Sequence, residues 1–288
     1  MKVAFIVGVG RSGTTLVSAM LAAHDDVDVG FETSVLRRVV LPFPNTPARD
    51  LLNDALVQRE GLLIAQITQT NTAKDAYLDF LRVSEARNKL RVDKDPRLIE
   101  SIESLIGEFQ NCKIIHVFRD PRAVLASKKK AAWSARNSIF HHLVAARYQL
   151  ICGARAHDKF PSQILKVRYE TLVDEPEAVC REICDFLGLN FNRNMLQHET
   201  KAMEIVSPEE MQWKESVTHP IDSAKKMAWE TQLSSFESSA AVATMPETNA
   251  TSPYVDFNRL GWRDKVGMRM YSCLVMFAAW ALVVLKRG

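Results

Sequence analysis

The stretch Val7-Gly8-Val9-Gly10-Arg11-Ser12-Gly13-Thr14-Thr15-Leu16 combines residue types that bind phosphate-like anions. An apolar run leads into glycines, and a helical pattern starts at once. Glycines let backbone N–H groups converge on an anion, and a helix N-terminus adds its dipole. Thr14 and Thr15 add hydroxyl donors. The spacing Gly8-x-x-x-x-Gly13 fits a nucleotide triphosphatase loop, but Thr14 stands where that loop carries its lysine. The cation sits inside the loop instead, at Arg11. This argues against magnesium-dependent ATP chemistry.

A second cationic segment reads Arg119-Asp120-Pro121-Arg122, with Ser127 eight residues after Arg119. It follows the apolar run Lys113–Phe118, and Pro121 suits the first turn of a helix. Arg119 is therefore expected at a strand's C-terminal edge, where α/β folds bind ligands. Lys128, Lys129 and Lys130 extend the charge or form a solvated helix face. Glu32 follows a short apolar stretch, and Lys94 lies in Asp93-Lys94-Asp95-Pro96. On their own, Glu32 is also readable as a surface carboxylate, Lys94 as an ion pair with Asp93 or Asp95, and Tyr169 as a core tyrosine.

The run Gly-x-x-Arg-Ser-Gly-Thr-Thr resembles the 5′-phosphosulfate loop of sulfotransferases that use 3′-phosphoadenosine 5′-phosphosulfate (PAPS). The resemblance implies that Gly10, Arg11, Ser12, Gly13, Thr14 and Thr15 hold the phosphosulfate. It implies that Arg119 and Ser127 hold the 3′-phosphate, with Tyr169 of Tyr169-Glu170-Thr171-Leu172 near the adenosine. The motifs are closest to those of tyrosylprotein sulfotransferases. Glu32 matches their general base, 21 residues after the loop arginine, and Lys94 matches the lysine beside the transferring group. Phe31 and Ser34 depart from that pattern, and no serine directly precedes Trp229. The implied reaction moves a sulfuryl group to a hydroxyl of a peptide tyrosine, carbohydrate or glycolipid. It needs a base for the proton and positive charge for the leaving group. A P-loop kinase and a non-catalytic nucleotide-binding module at a membrane are the alternatives.

Positioning these groups requires strands whose C-terminal ends lie side by side. Val3–Val7, Lys113–Phe118 and Ile164–Val167 read as buried strands, with shorter ones at Val27–Val29 and Arg91–Val92. Helical patterns over Thr14–Ala23, Arg136–His157 and Pro176–Leu187 alternate with them. Alternation of this kind implies an α/β fold with a parallel sheet flanked by helices, P-loop-like in the resemblance. The expected organisation is one domain over 1–262, with a helical insertion about 36–90. A flexible lid is expected about 234–253, where Ser, Ala and Thr dominate, and a hydrophobic tail over 263–288.

Composition bounds the rest. The 288 residues are 47% hydrophobic and 25% charged, with a net charge of +3, which suits a soluble domain and gives no reason to expect nucleic acid. Five cysteines without a CxxC pair argue against a disulfide framework, and the seven histidines show no metal spacing. The short N-terminal apolar run reads as a strand rather than a secretion signal, so a cytoplasmic location is expected. Ser272–Leu285 contains no charge. Counted from Met270, this run of 16 residues makes about 24 Å of helix at ~1.5 Å per residue, short of a bilayer core of ~30 Å. It is read as a buried helix, a membrane-surface anchor or a short span. A homodimer is left open.

Overall fold

The computed structural model describes residues 3–30, 32, 34–42, 44–45, 47, 72–85, 89–131, 134, 136–245 and 262–286. In chain order its main elements begin β1 (Val3–Gly8), α1 (Thr14–Ala22), β2 (Val27–Val29), α2 (Ala73–Glu85) and β3 (Leu90–Lys94). Then come α3 (Ile102–Glu108), β4 (Lys113–Phe118), α4 (Pro121–Lys130), α5 (Ile139–Lys159) and β5 (Ile164–Arg168). Next are α6 (Tyr169–Asp174), α7 (Pro176–Leu187), α8 (Glu199–Ile205), α9 (Pro208–Lys214), α10 (Ser235–Thr244) and α11 (Trp262–Leu285).

The five strands form one parallel sheet in the order β2-β3-β1-β4-β5. β1 is buried along its whole length and feeds both faces. Val3, Phe5 and Val7 join one core with Ile99, Leu105 and Ile114. Ala4 and Ile6 join the other, with Val17, Met20, Val92 and Val117. Period-two alternation within a continuous apolar run is how a strand covered on both faces is written. The chain leaves β1 toward β2 and β3 on one side, then returns to place β4 on the other. This reversal opens a crevice beyond the strand ends. The register pairs Ile6 with Lys94, Gly8 with Val117 and Phe118 with Arg168, so the segments after β1, β3, β4 and β5 emerge on one edge.

The segment expected to be a flexible lid holds a helix. α10 starts with a capping box, in which Ser234 and Glu237 bond each other's backbone N–H. Ala240 and Ala241 are fully buried against α4, α5 and α11. Small side chains look uninformative in composition, yet alanine has the best helix propensity and lets helices approach closely. Residues 246–253 of that expected lid lie outside the described residues. So do residues 48–71 of the expected insertion, of which α2 is the principal described part.

The uncharged tail is the second half of α11, which starts well before it, at Trp262. Met268, Ser272, Val275, Ala279 and Val283 are buried, at spacings of three and four, against α5 and α10. One face of the helix thus belongs to the domain.

Candidate active site

The loop between β1 and α1 begins where Gly8 passes β4. A Cβ at Gly8 would stand 2.3 Å from the Val117 carbonyl oxygen. The loop closes at Gly13, whose φ is +98° and whose missing Cβ leaves room for the Tyr169 ring, 2.3 Å from where that atom would lie. No other residue type tolerates both demands. Arg11 also has positive φ, +79°, a costly conformation for a side chain-bearing residue and one that concentrates at ligand sites. Its guanidinium turns across the loop. Nε donates to Ser127 Oγ at 2.9 Å, and Nη2 donates to the Trp213 carbonyl at 2.6 Å.

Arg119 follows β4 and stacks on the Tyr169 ring, 4.0 Å from its centroid, with Nη1 3.5 Å from the Arg11 carbonyl. Its buried Nε has no hydrogen-bond partner. Burial and the neighbouring Arg119 both lower the Arg11 pKa from its usual value. Among the described residues neither guanidinium makes an ion pair with a carboxylate. Two adjacent arginines left this way make a strongly positive, anion-seeking wall. The second arginine of the motif is different. Arg122 is buried, pairs with Asp120 at 2.5 Å and carries Trp229 on its face at 3.9 Å, so it is scaffold.

Lys94 ends β3 and Glu32 follows β2. Their side chains meet, with Lys94 Nζ 2.5 Å from Glu32 Oε2 and 3.4 Å from Thr15 Oγ1. The expected alternatives for Lys94, pairing with Asp93 or Asp95, are taken elsewhere. Asp93 accepts from the Tyr77 hydroxyl, and Asp95 pairs with Arg37 at 2.7 Å. A second ammonium reaches the same carboxylate oxygen: Lys214, at the end of α9, lies 2.7 Å from Glu32 Oε2 and 2.6 Å from Glu210 Oε1. Burial alone would raise the Glu32 pKa, but the two lysines override it and hold the carboxyl at about 2. Burial pushes the Lys94 ammonium down, whereas Glu32 and Glu210 together raise Lys214 despite its burial.

These groups surround a cleft of about 360 Å³ at the sheet edge. Gly10, Arg11, Gly13, Thr14, Thr15, Glu32, Arg119 and Tyr169 line it. Lys94 touches it through Glu32, and Ser127 through Arg11. Ser12 sits behind the loop, buried, with its N–H spent on the Val9 carbonyl. The lysine triplet is not gathered in: Lys128 is buried apart from the cleft, and Lys129 pairs with Glu237 at 2.6 Å. Sequence reasoning missed Lys214, Glu210 and Trp213. The only signal was a charged Glu-Glu-Met-Gln-Trp-Lys stretch whose Glu210–Lys214 spacing is that of helix neighbours.

Known proteins resemble the chain over about two thirds of its length. Residues 4–193 match the model of the sulfotransferase family. A protein-tyrosine sulfotransferase 1 of Danio rerio is 32% identical over 212 residues, which cover 69% of this chain and 56% of that protein. Protein-tyrosine sulfotransferase A of Caenorhabditis elegans is 31% identical over 202 residues, covering 68% and 52%. The chain thus spans about half the length of these curated relatives. The sulfotransferase domain of the Synechococcus PCC 7002 olefin synthase has the same fold. Its TM-score is 0.63 at 24% identity, over 85% of this chain and 94% of that one. A parallel sheet with a glycine–arginine loop at its switch point, matched by a family model over most of the domain, leads to one assignment: the chain belongs to the sulfotransferase family.

Proposed function

We propose that the chain transfers a sulfuryl group from PAPS to the hydroxyl of an acceptor, with peptide tyrosine as the first candidate and carbohydrate or glycolipid hydroxyls as the others. The observation that carries this reading is the contact of Glu32 with Lys94 beside a phosphate loop whose cation is Arg11. PAPS, when bound, supplies an activated sulfuryl group on a phosphate leaving group.

Two features of the cleft fit such a polyanion. The buried Arg119 Nε has no partner, and a Cβ at Gly10 would meet no atom within 4 Å, leaving the loop backbone open to close approach. The N–H groups and hydroxyls of Gly13, Thr14 and Thr15 hold the phosphosulfate, and Arg119 with Ser127 holds the 3′-phosphate. Arg11 joins the two subsites, because it already bonds Ser127. Tyr169 packs beneath the nucleoside.

On the other side of the cleft, Glu32 accepts the acceptor's hydroxyl proton at a carboxylate oxygen. Lys94 offsets the negative charge that develops as the bond to the leaving group breaks. Lys214 holds Glu32 ionised and in place. A base with so low a pKa is always deprotonated at neutral pH, and Glu32 gains proton affinity when an ammonium moves off it.

The test is calorimetry with 3′-phosphoadenosine 5′-phosphate against ADP, followed by transfer of labelled sulfate from PAPS to a panel of tyrosyl peptides, oligosaccharides and glycolipids. Preference for the 3′-phosphorylated nucleotide and labelling of a hydroxyl acceptor are expected. Equal affinity for ADP would sink the two-phosphate assignment. Labelling confined to sugars would move the acceptor away from tyrosine.

A further inference from the structure

Among the described residues, the outer face of α11 has no partner in the domain. Opposite its buried stripe it exposes Met270 (64%), Leu274, Phe277 (66%), Trp280 (54%), Val284 and Leu285. Phe140 of α5 and Phe236 of α10, both exposed at their edges, extend the patch by packing on Tyr271 with ring centroids 5.7 and 5.5 Å away. A continuous apolar surface of this size on a soluble domain marks an interaction site.

We propose that this face docks the domain onto an anionic lipid bilayer, with α11 lying in the plane of the membrane rather than crossing it. This goes beyond the sulfuryl-transfer reading and stands apart from it.

Length alone does not decide the mode. Val266–Leu285 has 20 residues, about 30 Å of helix, enough to span a core of ~30 Å. Packing decides it. Val275 is buried with Ala240 and Ala241, and Ala279 and Val283 are buried with Tyr148. At the far end, Lys286 Nζ is 3.2 Å from Glu100 and lies over the Tyr148 ring at 4.6 Å. The helix is therefore tied to the domain along its length, and a span would have to strip all these contacts. Lying in the interface keeps them and buries the outer face as well.

Charge chooses the occupant. Between Val266 and Lys286 the chain carries Arg269 and Lys286 and no acidic residue. A second copy packed about a two-fold axis would set the exposed Arg269 against its own mate in a parallel pair or against the basic end at Lys286 in an antiparallel one, with no carboxylate on either stripe to meet it. Lipid phosphates meet it directly. Trp280 and Tyr271, with polar atoms on flat apolar rings, suit the headgroup level.

Flotation of the full chain with vesicles of phosphatidylcholine, with and without phosphatidylglycerol, tests this. Co-flotation is expected, several-fold stronger with the anionic lipid and fully released by alkaline carbonate. The double substitution Phe277→Glu with Trp280→Glu, at two exposed positions, should cut the bound fraction more than tenfold. Its thermal midpoint and nucleotide affinity should not change. Should that variant unfold, brominated lipids read the native chain. The quenching abolished by Trp280→Tyr must be stronger with bromines near the headgroups than near the bilayer centre. No flotation overturns the proposal. Retention after carbonate replaces it with a span. A concentration-dependent dimer that the same double variant abolishes, without vesicle binding, replaces it with a second copy.

Discussion

The two walls of the cleft handle charge in opposite ways. On the donor wall, Arg11 and Arg119 sit together with no carboxylate in an ion pair with either, among the described residues, and Arg119 Nε is left unsatisfied. On the acceptor wall the named charges, among the described residues, are answered: Glu32 by Lys94 and Lys214, Lys214 again by Glu210, and Asp95 by Arg37. Two adjacent guanidiniums with no ion-pair partner repel each other until an anion arrives, so the first wall suits the anionic donor proposed above. A closed set of ion pairs fixes the place of a carboxylate and keeps it ionised, and the carboxylate regains proton affinity when an ammonium moves off it. The walls also differ in origin. The donor wall comes from two contiguous motifs at the ends of neighbouring strands, whereas the acceptor wall is assembled from β2, β3 and α9, as far apart as residues 32 and 214.

If the walls divide the work in this way, substitutions should separate catalysis from nucleotide binding. The largest effect is expected from Glu32→Ala, a fall in kcat on the order of 10²–10⁴-fold, typical of losing a general base. Affinity for 3′-phosphoadenosine 5′-phosphate should stay within about twofold by calorimetry, since Glu32 is not a nucleotide ligand in this scheme. A large loss of nucleotide affinity would erase the distinction between the walls. Arg119→Ala is the converse. It should weaken binding of that nucleotide by about 1.5–3 kcal/mol, the worth of one charge-assisted contact. It should leave ADP affinity nearly unchanged. Equal losses for both nucleotides would remove Arg119 from the 3′-phosphate.

Gly13→Ala tests the geometry that joins the walls. It forces a side chain into left-handed backbone and against Tyr169, and should destabilise the fold by about 1–3 kcal/mol. Thermal unfolding would report this as a lowered midpoint. The smallest effect, and the sharpest, concerns Lys214→Met. Glu32 must be ionised to accept a proton, so its pKa sets the acid limb of kcat. That pKa is held at about 2 by Lys94 and Lys214 against burial. Arg11 and Asp95 lie near it, and Glu210 faces it through Lys214. Removing one ammonium lets burial count for more, so the limb should move to higher pH, with kcat at neutral pH falling less than about tenfold. A pH profile that falls in height without moving would reduce Lys214 to a structural tie.

Much of the donor wall was legible because its rules are local. A strand, a glycine turn and a helix start are written in adjacent residues, and Arg119 follows its strand directly. Glu32 and Lys94 were legible as residues after strands, but not as partners. Their 2.5 Å contact depends on β2 and β3 lying side by side. Lys214 was illegible because α9 reaches the cleft only through the packing of the helices that follow β5. The helix inside the expected lid was hard to read for a related reason: Ser- and Ala-rich composition reads as unstructured until a capping box and a buried neighbour make it a helix.

The sequence by itself determined the parallel α/β sheet, the anion loop with arginine in place of the usual lysine, and an uncharged run long enough to need a partner. Each follows from periodicity or residue chemistry over a few turns of chain. Only the tertiary structure decided which charges meet and which stay unpaired, because ion pairing depends on distance and burial rather than on order along the chain. It also decided that the uncharged run has two faces. One is buried against the domain, and the other is exposed.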